Sequence, residues 1–345
     1  MTLRVKVGFS NNSRIQPLLD GTVKPQNLDL DFVVCHPSEL FYRNLEFDEF
    51  DVSEFSISSM LLVKERSDGT RWNWSVLPIF LSKAFAWLDL WVNNASGIQT
   101  LGDLKGKRVG VYEYSVTAAL WFRTVLKELY GIEPQDIIWT NGRTKEVSHG
   151  GPLGLDEDPP PGITINWLAE GQTLDVLLDR GEIDAAYGLS PDPKYKEPGS
   201  VHINLLGGIP LAGNPRIRKL FGDGGRDVVT EYYRRTGVVP ANHCVVVQNR
   251  LMKENPWVAL ELYKAFQESK AIAYERAKKQ SSAYLLFTAE VFQEQAAVFG
   301  DDPYPLGIRA NRGMLEVLIE SSLAQGLIRK PAKIEDVFCP EFLDT

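Results

Sequence analysis

Three neighbouring residues have side chains suited to holding an acid. Glu113, Ser115 and Thr117 follow the short apolar run from Arg108 to Val111, and an amphipathic pattern begins directly after them. A strand that leads straight into a helix leaves backbone N–H groups unpaired, and an anion there is stabilised by about 0.3–1 kcal/mol. Hydroxyls at Ser115 and Thr117, with Tyr114 between, can add hydrogen bonds to a carboxylate. The alternative is that these hydroxyls only cap the helix.

One histidine is placed to move a proton. His243 follows Asn242 and, with Cys244, leads into the predicted strand Val245 to Gln248. Imidazole is the side chain best suited to exchanging protons near neutral pH, and Glu113 is a candidate complement for it. Lys83 and Asn242 are candidates for holding a substrate. The alternatives are a structural histidine at a strand edge and a solvated lysine.

Sequence motifs for several other kinds of chemistry are missing. The chain contains no Walker loop, no G-x-G-x-x-G fingerprint, no G-x-S-x-G elbow, no H-E-x-x-H and no C-x-x-C pair. The four histidines are widely separated, so their spacing gives no support to a metal site. We therefore predict a site without metal and without cofactor.

Composition restricts the class of protein and its partners. The 345 residues fit two domains, and the formal net charge of −8 without a basic stripe argues against a nucleic-acid partner. No run approaches the roughly 18 apolar residues of a membrane span. The first ten residues already have a strand pattern and no secretory signal, and Cys35, Cys244 and Cys339 are too far apart for a disulfide framework. These features predict a cytoplasmic protein.

Predicted strands alternate with predicted helices along the chain, a pattern typical of open, largely parallel α/β sheets. The predicted strands are Leu3–Phe9, Leu28–Val34, Phe50–Ser59, Val76–Leu81, Trp87–Val92, Arg108–Val111, Asp136–Trp139, Ile183–Ala186 and Val245–Gln248. Ligands of such sheets bind at the carboxyl ends of strands. Three predicted strand ends carry polar clusters, namely Ser56 with Ser58 and Ser59, Glu113 with Ser115 and Thr117, and Ser190 with Asp192. The pattern therefore predicts a cleft with Ser58 in it.

Short segments along nearly the whole chain carry a family resemblance. They are Asp20–Pro25, Phe50–Ser59, Asp103–Trp121, Glu128–Trp139, Leu220–Phe221, Tyr232–Pro240 with His243, Asn255–Val258, Phe299–Asp302, Asn311–Arg312 and Gln325–Leu327. In these segments the chain resembles the bacterial 4,5-dihydroxyphthalate decarboxylase family. The resemblance implies a two-lobed α/β fold of the type 2 periplasmic-binding-protein kind, with two doubly wound mixed sheets and a ligand cleft between. It also implies one lobe of residues 1–84 and 241–345, a second lobe of residues 85–240, and Ser58 and His243 near the hinge.

The chain departs from the family before the first crossover. The family has an Arg-Phe-Arg-His run there, whereas this chain has Ser82 to Leu88, which reads SKAFAWL. Arginine forks are the usual partners of carboxylates. Their loss predicts a substrate with fewer carboxylates, or an aromatic or heterocyclic ligand stacked on Trp87.

The resemblance implies a cofactor-independent decarboxylase of a hydroxylated aromatic or related small carboxylic acid. His243 is then the proton donor or base and Glu113 its complement, with Ser58, Lys83, Trp87, Tyr114, Ser115, Thr117 and Asn242 as substrate contacts. One alternative is a solute-binding protein of the ABC-transporter type that binds a small acid without catalysis. Another is a biosynthetic enzyme acting on a different small acid. Self-association is left open.

Overall fold

The computed structural model describes residues 2–67, 71–189 and 207–345, and the predicted Ser190 and Asp192 cluster lies outside this part. Eleven strands lie in the described residues and form two mixed sheets. The strands are β1 (Leu3–Phe9), β2 (Leu28–Val34), β3 (Val52–Ser56), β4 (Trp74–Leu77), β5 (Leu90–Asn93), β6 (Arg108–Val111), β7 (Ile138–Asn141), β8 (Ile165–Trp167), β9 (Ala185–Tyr187), β10 (Ile217–Lys219) and β11 (His243–Gln248).

Each sheet combines parallel strands with antiparallel ones. Sheet 1 has the order β2-β1-β3-β11-β4, in which β11 runs antiparallel to both of its neighbours. Sheet 2 has the order β10-β5-β9-β6-β7-β8, and here β5 and β10 provide the antiparallel pairings. The predicted fold class, two mixed α/β sheets in two lobes, is confirmed.

Helices cover the faces of both sheets. In the described residues they are α1 (Gln16–Leu19), α2 (Pro37–Phe47), α3 (Ile57–Arg66), α4 (Thr117–Tyr130), α5 (Leu174–Asp179), α6 (Arg226–Thr236), α7 (Asn249–Glu254), α8 (Trp257–Tyr284), α9 (Thr288–Phe299), α10 (Arg312–Ala324) and α11 (Ile334–Val337). None of these helices is both long enough and apolar enough to cross a membrane.

The chain passes between the two sheets twice, and the two crossovers are hydrogen-bonded to each other. The Asn242 N–H donates to the Ser82 carbonyl at 2.7 Å, and the Ala84 N–H donates to the Pro240 carbonyl at 3.0 Å. The strands of sheet 1 come from residues 3–77 and 243–248, and those of sheet 2 from residues 90–219. The exact lobe boundaries, 84/85 and 240/241, stay a prediction.

The largest hydrophobic cluster is shared by the two lobes. It joins Phe55 and Trp74 of sheet 1 to Trp121 of α4 and Trp139 of sheet 2. The Trp121 indole N–H also donates to the Ala241 carbonyl at 2.9 Å, next to a crossover. Apolar burial stabilises by roughly 25 cal/mol per Å² removed from water, so this shared core holds the lobes together near the crossovers.

Three local predictions are wrong at the point where a strand or helix begins or ends. The predicted strand Phe50–Ser59 ends at Ser56, whose hydroxyl accepts from the Ser59 N–H and starts α3. The predicted caps of α4, Ser115 and Thr117, do not cap it, since the residue at that position is Val116. The predicted strand Trp87–Val92 begins only at Leu90, after a 3₁₀ turn over Ala86–Asp89.

Candidate functional site

A histidine and a buried carboxylate form a pair at one end of sheet 1. His243 begins β11 opposite Ser56 of β3, and its Nδ1 lies 2.7 Å from Oε1 of Glu54. The other oxygen of Glu54 accepts from the N–H of Ser10 at 2.8 Å and from its hydroxyl at 2.5 Å. Ser10 directly follows β1, so three strands contribute to this pair.

The carboxylate of Glu54 decides which nitrogen of the His243 ring faces it as a donor. Burial alone would raise the pKa of Glu54, but the bonds from His243 and Ser10 outweigh burial and hold that pKa below its usual value. An ionised carboxylate only accepts hydrogen bonds, so Nδ1 of His243 carries a proton. The His243 side chain is 16% exposed, which leaves Nε2 as the nitrogen that can exchange a proton with a ligand.

Phe41 lies between this pair and a second histidine. Its ring centroid is 4.9 Å from that of His243 and 5.9 Å from that of His149. Nε2 of His149 lies 2.9 Å from the Ser38 carbonyl oxygen, an acceptor, so this nitrogen carries the proton. Burial, with Arg143 adding and Glu113 opposing, lowers the pKa of His149 to about 3. His149 is therefore neutral near pH 7 and fixes a contact between the lobes.

Glu113 is saturated with hydrogen bonds inside lobe 2. The guanidinium of Arg143 donates to it at 2.8 Å. Four further donors complete its shell: the hydroxyls of Ser115 and Ser148 and the backbone N–H groups of His149 and Gly150. Burial would raise the pKa of Glu113, but Arg143 and these donors hold it below its usual value. The catalytic role of Glu113 stays a prediction, while Glu54 makes the contact with His243 that was expected of Glu113.

Ser58, Ser115 and Thr117 meet where the N-termini of α3 and α4 face each other. The hydroxyl of Thr117 lies 2.9 Å from that of Ser56 and accepts from the Ser58 N–H at 3.1 Å. The Ser58 hydroxyl donates to the Ser115 carbonyl at 2.6 Å. These groups are buried and bond to one another across the lobes. Their predicted role in holding a carboxylate stays a prediction.

Replacing Thr117 by Val tests this contact between helices. The change keeps the shape of the side chain and leaves the Ser58 N–H without its acceptor, so we expect a loss of about 1–3 kcal/mol in the free energy of unfolding. Urea titration measures it. Thr236→Val is the matched control, because that hydroxyl likewise accepts from a backbone N–H, that of Val238, but bonds only within its own segment, donating to the Tyr232 carbonyl. Equal losses in the two variants would contradict a special contribution from Thr117.

Tyr114, Trp87 and Asn242 each have different neighbours in the structure. The Tyr114 hydroxyl donates to the Gln325 carbonyl at 3.1 Å, and its ring lies 3.6 Å from the Arg123 guanidinium. The Trp87 side chain is fully buried in the shared core, which argues against a ligand stacked on its ring. Asn242 donates to the Ala84 carbonyl at 3.1 Å, and its buried Oδ1 has no hydrogen-bond partner among the described residues.

Lys83 lines a cavity different from the one beside Glu113. A cavity of about 250 Å³ at the carboxyl ends of β6, β7 and β8 is lined by Glu113, Tyr114 and Ser115. The Lys83 side chain instead faces Asn311, and the cavity that it lines contains no other predicted site residue. Among the described residues, His243 therefore has no direct contact with Lys83 or with Glu113.

Sequence reasoning missed Glu54 and Ser10, although a signal was available for Glu54. A charged residue between Ser53 and Phe55 in a strand that must be buried needs a partner, since an unpaired buried charge is costly. No comparable signal marks Phe41 or the contact of His149 with Ser38. In the described residues, no group of three or more His, Cys, Asp or Glu side chains is arranged to hold a metal ion.

The chain is similar to two decarboxylases of known name. It is 29% identical to the 4,5-dihydroxyphthalate decarboxylase of Comamonas testosteroni over 345 residues, covering 99% of this chain and 98% of that protein. It is 33% identical to the 4,5-dihydroxyphthalate decarboxylase of Pseudomonas putida over 186 residues, covering 54% of this chain and 70% of that protein. No protein-family model matches the chain.

Solved structures share the fold at low sequence identity. The periplasmic aliphatic sulphonate-binding protein SsuA of Escherichia coli has a TM-score of 0.53 at 14% identity, with 100% of both chains covered. The alkanesulfonate-binding protein SsuA of Xanthomonas axonopodis has a TM-score of 0.54 at 13% identity, covering 97% of this chain and 98% of that one. This likeness shows a periplasmic-binding-protein-like fold.

Proposed function

Because this chain belongs to the 4,5-dihydroxyphthalate decarboxylase family, we propose that it decarboxylates a hydroxylated aromatic or related small carboxylic acid. The observation that assigns particular residues to the proposal is the hydrogen bond between His243 and the buried Glu54. This bond uses Nδ1 of His243 and leaves its Nε2 available. A general acid of this kind contributes about 10²–10⁴-fold to rate. A protein that only binds a solute has no need of a carboxylate that holds one tautomer of its histidine.

The proposed reaction needs one proton for each molecule of carbon dioxide released. The imidazolium of His243 gives the proton on Nε2 to the ring carbon that bears the carboxylate, and a C–H bond forms there. The bond from that carbon to the carboxylate then breaks, its electron pair restores the ring, and carbon dioxide leaves. Neutral His243 regains its proton from water. Glu54 stabilises the imidazolium before transfer and keeps the ring oriented.

Asn242 is our candidate for contact with a ring hydroxyl. Its Oδ1 is buried, has no hydrogen-bond donor among the described residues, and belongs to the residue next to His243. Leaving such an acceptor unpaired costs about 1–3 kcal/mol, which a substrate hydroxyl would recover. An electron-donating hydroxyl on the ring also makes the carbon easier to protonate. The proposal therefore favours hydroxylated acids over unsubstituted ones.

A second candidate function is binding of a small acid without catalysis. It rests on the fold shared with two sulphonate-binding proteins, and at 13–14% identity that likeness concerns the fold alone. We rank it below the decarboxylase because the family relation covers nearly the full chain.

A substrate panel tests the proposed function. Purified protein is incubated with hydroxybenzoates and hydroxyphthalates, and released carbon dioxide and the decarboxylated ring are measured together. We expect at least one hydroxylated acid to be consumed with one carbon dioxide per product. Tight binding of an acid by calorimetry, with no carbon dioxide from any member of the panel, would support the solute-binding alternative instead.

Location and self-association belong to the proposal as well. A cytoplasmic location is supported by the three cysteines, which are all free thiols. Self-association is supported by exposed apolar side chains at the turn from α8 to α9, where Tyr284 and Leu286 are 86% and 94% exposed.

A further inference from the structure

Lys83 is a buried amine in a cavity of its own. Its residue is 6% exposed and lies on the first crossover, where its backbone pairs with Ala241. The side chain lines a cavity of about 180 Å³ together with residues of α6, α10 and the segment after α9, among them Tyr233 and Asp302. The proposed decarboxylation makes no use of this cavity.

The amine has fewer hydrogen-bond acceptors than an ammonium group requires. Nζ donates to Oδ1 of Asn311 at 2.9 Å, and this is the acceptor recorded for it in the described part of the chain. An ammonium group has three hydrogens to place, whereas a neutral amine that donates once keeps a lone pair available. Burial is the main reason that the pKa of Lys83 falls to about 8. A neutral, nucleophilic fraction is therefore present near physiological pH.

Three charged side chains, one acidic and two basic, act on Lys83. Asp302 opposes the lowering of the Lys83 pKa, while Lys270 and Arg14 add to it. Asp302 is itself ion-paired with Lys270. The Arg14 guanidinium donates to the Leu81 carbonyl at 2.8 Å, which is an uncharged acceptor. Asp302 and Lys270 offset each other as an ion pair, so Arg14 is the charged side chain of the three that favours a negative group on Lys83.

We propose that Lys83 is a carbon dioxide-binding site at which the amine forms a carbamate. The Nζ lone pair attacks the carbon of carbon dioxide, an N–C bond forms, and one C=O electron pair moves to oxygen while a proton leaves nitrogen for water. The product keeps one N–H, which continues to donate to Asn311. The cavity accommodates the new carboxylate, and the phenol of Tyr233, which lines it, is a hydrogen-bond donor. Dissolved carbon dioxide suffices, so the inference does not depend on the proposed function.

Trapping on the intact wild-type chain tests the inference. The protein is equilibrated with ¹³C-labelled carbon dioxide and bicarbonate near pH 8, treated with a trialkyloxonium reagent that esterifies carbamates, and mapped by peptide mass spectrometry. We expect labelled ester on Lys83, at a level at least about tenfold above that of the exposed Lys253 in the same digest. The label should rise with carbon dioxide at constant pH.

Two results would overturn the assignment. One is an absence of label on Lys83, and the other is a label no higher than that on Lys253. Because both lysines are read in one wild-type sample, the answer does not depend on whether a variant folds. Lys83→Arg serves as a further check, since it keeps a cation in the cavity but has no nucleophilic amine, and the trapped ester in that peptide should disappear.

Discussion

His243→Ala is expected to lower turnover of an accepted acid by about two to four orders of magnitude, while affinity for that acid falls far less. The reason is that Nε2 is the exchangeable nitrogen of a ring whose Nδ1 is bound to ionised Glu54 at 2.7 Å. Carbon dioxide release gives turnover, and calorimetry with a non-reacting analogue gives affinity. Imidazole added to the buffer should restore part of the rate, because the His243 side chain is partly exposed to solvent.

Glu54→Gln is the companion variant, because it keeps the shape of the side chain but removes the charge that orients His243. An amide can present its N–H₂ to Nδ1 and favour the wrong tautomer, so turnover should again fall while affinity changes little. A purely structural role for the pair predicts something else, namely a lower melting temperature with unchanged rate per folded molecule. A large loss of affinity at constant turnover would assign His243 to ligand binding.

Arg143→Met is expected to have the largest effect on stability, about 3–5 kcal/mol in the free energy of unfolding. Arg143 and Glu113 are both 2% exposed at their side chains, and their ion pair is 2.8 Å long. Removing the guanidinium leaves a carboxylate buried without its counter-charge. Urea unfolding at neutral pH measures the loss. Arg216→Met, which breaks the more exposed pair with Asp179, is the matched control and should cost much less.

A second change separates lost charge compensation from lost packing. Adding Glu113→Gln to Arg143→Met should recover part of the stability, since the amide oxygen still accepts hydrogen bonds but carries no charge. The direction in which stability changes with pH follows from the lowered pKa of Glu113. In the wild type the lowered pKa of Glu113 contributes stability that is lost as pH falls below the ordinary glutamate range. In Arg143→Met, Glu113 has lost its counter-charge, so protonation of Glu113 stabilises this variant. The difference in free energy of unfolding between the wild type and Arg143→Met should therefore become smaller at acidic pH. A difference that does not change with pH would indicate lost packing instead.

Local sequence patterns were sufficient to predict several individual strands and helices. The alternation of Leu3–Phe9 and the helical period after Thr117 hold in the structure, and Gly131 ends α4 with a φ of 64°. These features depend on side-chain periodicity and on the freedom of glycine to adopt a left-handed conformation. The family resemblance extended them to the two-lobed fold, which the comparisons and the sheet topology confirm.

Contacts between distant segments were decided only by the tertiary structure. Glu54 and His243 are separated by 189 positions, and Lys83 and Asn311 by 228, so no local period reports either pairing. The hydroxyls of Ser115 and Thr117 have a local signature of helix caps, yet in the folded chain Ser115 donates to Glu113 and Thr117 accepts from the Ser58 N–H. Trp87, which the sequence predicts to stack on a ligand, is buried in the shared core. Composition and spacing therefore determined the fold. The hydrogen-bond partner of each buried polar side chain was decided by the strand and helix ends that the fold brings together, because buried polar groups bond to the partners within reach.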